Sequence, residues 1–182
     1  LCKKYGAAVV GLTLDKGGIP KTAEGRLAIA KRILERALSL GIPKENVFID
    51  CLTLTASAAQ AAVAETLRAV RMVKEQLGLK TVLGVSNISF GLPNRELVNH
   101  SFLTLALANG LDLPILNPNI KAMTDAVNAY HLLMNIDKGA EHFLSVYAQE
   151  DSAPAAAAPA GEAGDLSYAV EKGLKADAGR IT

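Results

Sequence analysis

The chain has 182 residues, half of them hydrophobic, with 19 basic and 18 acidic side chains and a formal net charge of +1. That is enough apolar material for one domain plus an appendage, and the balanced charge gives no reason to expect nucleic acid or an anionic membrane surface as a partner. Aromatic residues make up 4% with no Trp, which argues against base-stacking platforms, and no apolar run reaches the roughly 18 residues of a transmembrane helix.

Near the N-terminus, residues 7–12 form a short continuous apolar run, the pattern of a strand buried on both faces. A loop over 13–21 holds Gly17-Gly18 and Pro20. A helix follows, with Thr22 as N-cap, Glu24 in its first turn, and Ile29, Ile33, Ala37 and Leu40 on one apolar face. Gly41 stops it and Pro43 lies just beyond. The second unit has a strand at 46–50. Ser57 and Gln60 have capping-box spacing and open a helix predicted over 57–77, with Val63, Leu67, Val70 and Leu77 as its buried stripe and Gly78 as its stop. The third unit is a strand at 81–85, a Gly/Pro-rich loop, and a helix at 95–109 ended by Gly110. The fourth is a strand at 113–116, a turn at Asn117-Pro118-Asn119, and a helix at 122–135. A short helix over 140–147 completes this part.

Repeated strand-loop-helix units imply a parallel sheet, either open and doubly wound or part of a barrel. Periodicity does not choose between them. In both, chemistry gathers at the C-terminal ends of the strands, and polar residues do follow the strands here: Asp15, Asp50, Ser86, Asn87, Asn117 and Asn119. The composition then breaks into an Ala/Pro-rich stretch at 149–164, an extended linker too simple to bury a core. Asp165 resembles an N-cap for a last amphipathic segment, with Leu166, Val170, Leu174 and Ala178 four residues apart.

Several side chains could carry chemistry. Asp50 closes an apolar strand. Its carboxylate could accept hydrogen bonds from ligand N–H groups, or simply stabilise its loop. Asn87 offers both a donor and an acceptor, although Asn beside Gly and Pro also closes turns. Arg95 could meet an anion or a ligand carbonyl, or be solvated at its helix start. Turn chemistry accounts for Asn117 and Asn119 equally well. The histidines form no metal cluster: His100 and His131 fall on helices at surfaces or helix contacts, and His142 in the last helix. Gly17-Gly18 lacks the phosphate-loop patterns. Met72, Met123 and Met134 fit as core filler. Cys2 and Cys51 make neither a disulfide framework nor a zinc site, and a reducing, cytoplasmic setting is expected. No signal-peptide pattern is present. The chain opens at Leu1 almost directly into a strand, as a piece of a longer polypeptide would.

The stretch Gly84-Val85-Ser86-Asn87-Ile88-Ser89-Phe90-Gly91-Leu92-Pro93, followed by Arg95 and Asn99, resembles the seventh strand and loop of the pterin-binding methyltransferases. That group comprises the folate domain of cobalamin-dependent methionine synthase and the methyltetrahydrofolate:corrinoid methyltransferases, with dihydropteroate synthase as a distant relative. The segment from Gly11 through Pro20 to Ala23 resembles their fifth strand and loop, Phe48-Ile49-Asp50 the sixth, and Gly110-Leu111-Asp112 through Asn117-Pro118 the eighth. The similarity covers residues 5–148. Cys51 departs from it, standing where the family has proline, and so does Pro114, which removes a ladder donor within a strand.

The resemblance implies an α/β fold in which residues 1–148 are the C-terminal half, strands five to eight, of a TIM-type (β/α)8 pterin-binding barrel. A full barrel takes about 250 residues, so a missing N-terminal half-barrel is an implied partner. It implies a methyltransferase that moves the N5 methyl of 5-methyltetrahydrofolate to cob(I)alamin for methionine synthesis from homocysteine. Asn87 would be the catalytic donor near N5, and Asp50 would hold the pyrimidine edge of the pterin. Ser86, Ser89 and Arg95 would line the same loop, and Asn117 and Asn119 would form the rim. Residues 165–182 resemble the first helix of the helical cap that precedes a cobalamin domain. The Asp-x-His-x-x-Gly cobalamin signature is absent, so cobalamin would be held by another domain of the same polypeptide. Neither nucleic acid nor membrane is an implied partner. Rival readings are a corrinoid/iron–sulfur-protein methyltransferase, a dihydropteroate synthase-like enzyme, or an inactive fragment whose open strand edges drive association.

Overall fold

The computed structural model describes residues 1–148. The expected linker at 149–164 and cap helix at 165–182 lie outside the described residues. The chain divides into two compact units, Leu1–Gly139 and a second beginning at Ala140.

The first unit opens with the short helix α1 (Cys2–Tyr5), then alternates strands and helices: β1 (Val9–Leu12), α2 (Ala23–Ser39), β2 (Val47–Asp50), α3 (Ala56–Ala59), α4 (Ala61–Met72), β3 (Lys80–Gly84), α5 (Arg95–Ala108), β4 (Leu113–Ile115) and α6 (Lys121–Leu133). The strands form one four-stranded parallel sheet in the order β1-β2-β3-β4. Consecutive strands are neighbours, with a helical crossover between each pair. This is the arrangement of a partial TIM-type barrel. In the second unit, α7 (Glu141–Tyr147) stacks Phe143 on Tyr147 with ring centroids 4.5 Å apart.

Local signals explain most boundaries. The Thr22 hydroxyl accepts from the Gly25 N–H at 3.2 Å, capping α2 as its sequence predicts. Gly41, Gly78 and Gly110 follow helices with positive φ, which L side chains resist. Gly11 has a different purpose: a Cβ there would sit 2.6 Å from Ile33 Cγ2, so glycine lets α2 lie close on β1. The capping box expected at Ser57 does not form. Ser57 lies inside α3 and donates its hydroxyl to the Phe90 carbonyl at 2.7 Å. The predicted long helix is therefore α3, then α4, then a wider π turn over Val73–Leu77.

The two faces of the sheet differ. Val47, Ile49 and Leu83 point toward the helices and join Ala30, Ala69, Val70, Leu103 and Met123 in one buried core. The register pairs Leu12 with Asp50, Asp50 with Val82, Val82 with Leu113, and Gly84 with Ile115, so these residues share the opposite face. Among the described residues this face is exposed at both edges, although Val82 at its centre is 4% exposed. Val10 and Leu12 on β1 are 52% and 45% exposed, and Leu113 and Ile115 on β4 are 46% and 63% exposed. The reading of β1 as buried on both faces is thus corrected. β1 is an edge strand, and only its helix-side residues are covered. Pro114 falls in the other edge strand, where its missing N–H disrupts no second ladder. Met123 is core as expected, whereas Met134 is 57% exposed and lies outside the core.

Candidate functional site

Asp50 is the last residue of β2. Its Oδ1 accepts from the Leu52 backbone N–H at 2.8 Å. Leu52 has φ +62°, a conformation that a leucine adopts only when its surroundings impose it. The Asp50 carbonyl accepts from both the Thr13 backbone N–H (3.0 Å) and hydroxyl (3.2 Å), which ties the end of β1 to the end of β2. The carboxyl is half-buried. Burial raises its pKa above the usual 3.8, and the Leu52 N–H opposes that rise. Next to it, Cys51 is fully buried and its thiol is pushed up to about 12, mainly by burial and then by the Asp50 charge. Cys51 is part of the buried core cluster.

The turn Val85–Ser89 leaves β3 as a short 3-10 segment with Val85, Ile88 and Ser89 buried and Asn87 exposed. Ser89 Oγ donates to the Ser86 carbonyl at 3.3 Å and accepts from Arg95 Nε at 3.0 Å. Arg95 Nη2 reaches the same Ser86 carbonyl at 3.2 Å, and its guanidinium stacks 4.7 Å from the Phe90 ring centroid. The Thr55 and Ser57 hydroxyls both donate to the Phe90 carbonyl at 2.7 Å, joining this loop to the one after β2. Arg95 is therefore occupied in shaping the loop, with Ser86 and Ser89 as its partners.

Gly84 shows which way Asn87 faces. A Cβ on Gly84 would project on the Asp50 side of the sheet and lie 3.4 Å from Asn87 Nδ2. The Asn87 amide thus lies on the same side of the sheet as the Asp50 carboxylate, just beyond the end of the adjacent strand. A carboxylate acceptor on the same side of the sheet as an amide that can donate and accept suits a planar heterocycle with an N–H edge.

The remaining strand-end residues lie apart. Asn117 Oδ1 accepts from the Asn119 N–H at 3.0 Å in an exposed Asx turn. Asp15 accepts from Arg32 Nη2 at 2.8 Å and from the Gly17 N–H at 2.9 Å, and these bonds, Arg32 first, hold its carboxyl below the usual range. Among the described residues, no group of three or more His, Cys, Asp or Glu side chains could hold a metal ion, and no helix is long and apolar enough to cross a membrane.

A family model for pterin binding enzymes matches residues 1–117, from the N-terminus through the end of β4. The chain belongs to the pterin binding enzyme family. Among curated relatives, methylcorrinoid:tetrahydrofolate methyltransferase of Eubacterium limosum is 27% identical over 147 residues, 80% of this chain and 54% of that protein. Methionine synthase of Mycobacterium leprae is 38% identical over 125 residues, 64% of this chain and 10% of that protein. Methionine synthase of Mycobacterium tuberculosis is 36% identical with the same coverage. The chain thus spans about half the length of the first and a tenth of the others. The family match includes Asp50, Ser86, Asn87, Ser89, Arg95 and Asn117, and ends before Asn119.

The sequence reading overlooked Thr55, Arg26 and Thr66, and assigned Ser57 elsewhere. Thr55 and Ser57 carried no signal, because their partner is more than 30 residues away. Arg26 did carry one: it stands three residues before Ile29 on the buried stripe of α2, where an exposed arginine has no place.

Proposed function

We propose that this chain supplies one wall of the folate site in a cobalamin-dependent methyltransferase. That enzyme would move the N5 methyl of 5-methyltetrahydrofolate to cob(I)alamin on the way from homocysteine to methionine. The observation that carries this reading is the placement of Asp50 and Asn87 on one side of the sheet, at the ends of adjacent strands in a pterin binding enzyme. Asp50 accepts hydrogen bonds from the 2-amino and ring N–H groups of the pterin. Asn87 lies over the ring near N5. A tertiary amine leaves poorly until its nitrogen gains positive character. A proton taken up from solvent would give N5 that character, with the Asn87 amide oxygen accepting from N5–H⁺, so that the methyl leaves and the bond electrons return to N5 as a neutral secondary amine.

Arg95, Ser86 and Ser89 hold the loop that presents Asn87, and Asn117 and Asn119 form a rim where a ligand edge or the incoming corrinoid passes. Cobalamin, supplied by another domain of the same cytoplasmic polypeptide, provides the nucleophile that receives the methyl. The sheet face exposed at its edges, with Val10, Leu12, Leu113 and Ile115, is where the other half of the barrel closes over the pterin. The test is Asn87→Ala in the complete polypeptide that contains this chain. Loss of one such hydrogen-bonding group costs about 3 kcal/mol, or roughly a hundredfold in methyl transfer to cob(I)alamin. Unchanged transfer would refute the role given to Asn87.

A second reading is favoured by the longer match to methylcorrinoid:tetrahydrofolate methyltransferase, 147 residues against 125 for the methionine synthases. In it the methyl partner is a separate corrinoid protein. Higher identity, 38% against 27%, is our reason for preferring the methionine synthase reading. Methyl transfer from 5-methyltetrahydrofolate through to homocysteine by the one polypeptide supports the first. Dependence on an added corrinoid protein supports the second.

A further inference from the structure

We propose that Arg26 is a positioning residue for the pterin-binding carboxylate of Asp50, acting through the peptide unit that joins Cys51 to Leu52. This rests on the folate reading of Asp50 given above. Arg26 belongs to α2 and is 0% exposed. Its Nε donates to the Pro20 carbonyl at 3.1 Å. Its Nη1 donates to the Cys51 carbonyl at 3.0 Å, the Leu52 carbonyl at 3.2 Å and Thr66 Oγ1 at 2.6 Å. Thr66 in turn donates its one hydroxyl proton to the Ala62 carbonyl at 3.0 Å, with the Leu52 carbonyl as the alternative acceptor at 3.3 Å. One guanidinium thus joins the loop after β1, the loop after β2 and helix α4.

A buried cation is costly unless it is paired and its donors are hydrogen-bonded. Arg26 has no carboxylate within ion-pair distance among the described residues, and its Nη2 has no hydrogen-bond partner. Burial accordingly lowers its pKa. Volume alone would be met by Met or Leu. What Arg provides is a planar fork of donors aimed at carbonyl groups.

The key geometry is in a single peptide plane. The Cys51 carbonyl accepts from Arg26 on one side, and the Leu52 N–H of the same plane donates to Asp50 Oδ1 at 2.8 Å on the other. A peptide unit is rigid and nearly always trans, so fixing its carbonyl fixes the direction of its N–H. The second Arg26 contact, to the Leu52 carbonyl, restrains the following plane and so holds Leu52 at φ +62°. Without Arg26, that leucine relaxes toward negative φ and its N–H turns away from the carboxylate. Asp50 then samples other rotamers and loses its fixed aim over the sheet.

A double-mutant cycle on the complete polypeptide tests this, reading 5-methyltetrahydrofolate affinity by calorimetry and folding by thermal unfolding. Asp50→Asn keeps an acceptor for Leu52 and removes the charge, and should weaken binding at least tenfold. Arg26→Gln should weaken binding about tenfold. Coupled residues are non-additive, so Arg26→Gln/Asp50→Asn should bind within about twofold of Asp50→Asn alone. If Arg26→Gln fails to fold, Arg26→Lys, which keeps the charge and one donor, replaces it in the same cycle. Full affinity in a folded Arg26 variant overturns the proposal. So do additive losses near a hundredfold, because Arg26 would then act independently of Asp50. If Asp50→Asn alone binds normally, the folate reading of Asp50 has failed, and the assignment of Arg26 fails with it.

Discussion

At the ends of β2 and β3, the backbone of the loops that carry the polar side chains is held by groups from distant segments, although the Asp50 carboxylate itself bonds within its own turn. Asp50 takes the Leu52 N–H from a loop clamped by Arg26 of α2, and the Asn87 loop is tied by Arg95, Thr55 and Ser57. At the ends of β1 and β4, Asp15 and Asn117 are engaged by their own turns, and Asp15 also by exposed Arg32. All four positions look alike in sequence, since each follows a strand. The difference is long-range support. A loop whose backbone is braced from outside presents its amide or carboxylate to a ligand at a lower ordering cost than an exposed turn held mainly by its own residues.

The contrast extends to the faces of the sheet, where the largest effect is expected. Leu83 is fully buried under the helices, and Leu12 is 45% exposed on the other face. Leu83→Ala should cost about 2–5 kcal/mol of unfolding free energy, and Leu12→Ala in this chain no more than about 0.5 kcal/mol. Chemical denaturation of the 182-residue chain measures both. Equal costs would mean that the open face is covered after all. Adding the other half of the barrel should raise the cost of Leu12→Ala toward that of Leu83→Ala, because burying a leucine is worth about 1.5–3 kcal/mol.

Asp50 provides the next test, with opposite signs for stability and binding. Its pKa is raised in the folded chain, chiefly by burial. Any stability it confers is therefore greatest with the carboxyl protonated, below its unfolded pKa, and is lost as pH rises through the folded value. Near neutral pH, Asp50→Asn should unfold at the same temperature or slightly higher. Pterin N–H groups need the ionised form, so affinity in the native protein should fall on acidification, beginning at a higher pH than an ordinary aspartate would give. The Asn variant should bind weakly, by about 1.5–3 kcal/mol for a lost charged hydrogen-bond acceptor, with no acid limb from this residue. Calorimetric titrations across pH read the affinity, and an acid limb that survives in Asp50→Asn would assign it to another group.

How much of this was legible beforehand follows from the range of the interactions. Strand and helix positions are local matters of periodicity and punctuation, so Thr22, Gly41, Gly78 and Gly110 marked their boundaries correctly. Asp50, Ser86 and Asn87 were visible as strand-end residues, and only the ten-residue resemblance around Asn87 distinguished them from Asp15. The exposure of Val10 and Leu12 was not legible, because an apolar run records the face that a strand is built to bury and not whether anything covers it. Ser57 misled for a related reason. Its spacing to Gln60 is that of a capping box, but the Phe90 carbonyl competes for the same hydroxyl.

The smallest predicted effects separate the two kinds of loop support. Arg95 makes two hydrogen bonds within the Asn87 loop and stacks on Phe90, while it is itself exposed. Arg95→Ala should therefore leave unfolding nearly unchanged and loosen the loop by about 1–1.5 kcal/mol, the net value of one or two such bonds. That corresponds to roughly five- to tenfold in methyl-transfer efficiency in the complete polypeptide. Asn117→Ala removes only the acceptor of its own Asx turn and should change the same rate less than about threefold. Steady-state kinetics on the two variants in parallel decides the point. If Asn117→Ala equals or exceeds Arg95→Ala, the rim contacts the ligand directly, and support from distant segments is not what separates the interior strand ends from the edges.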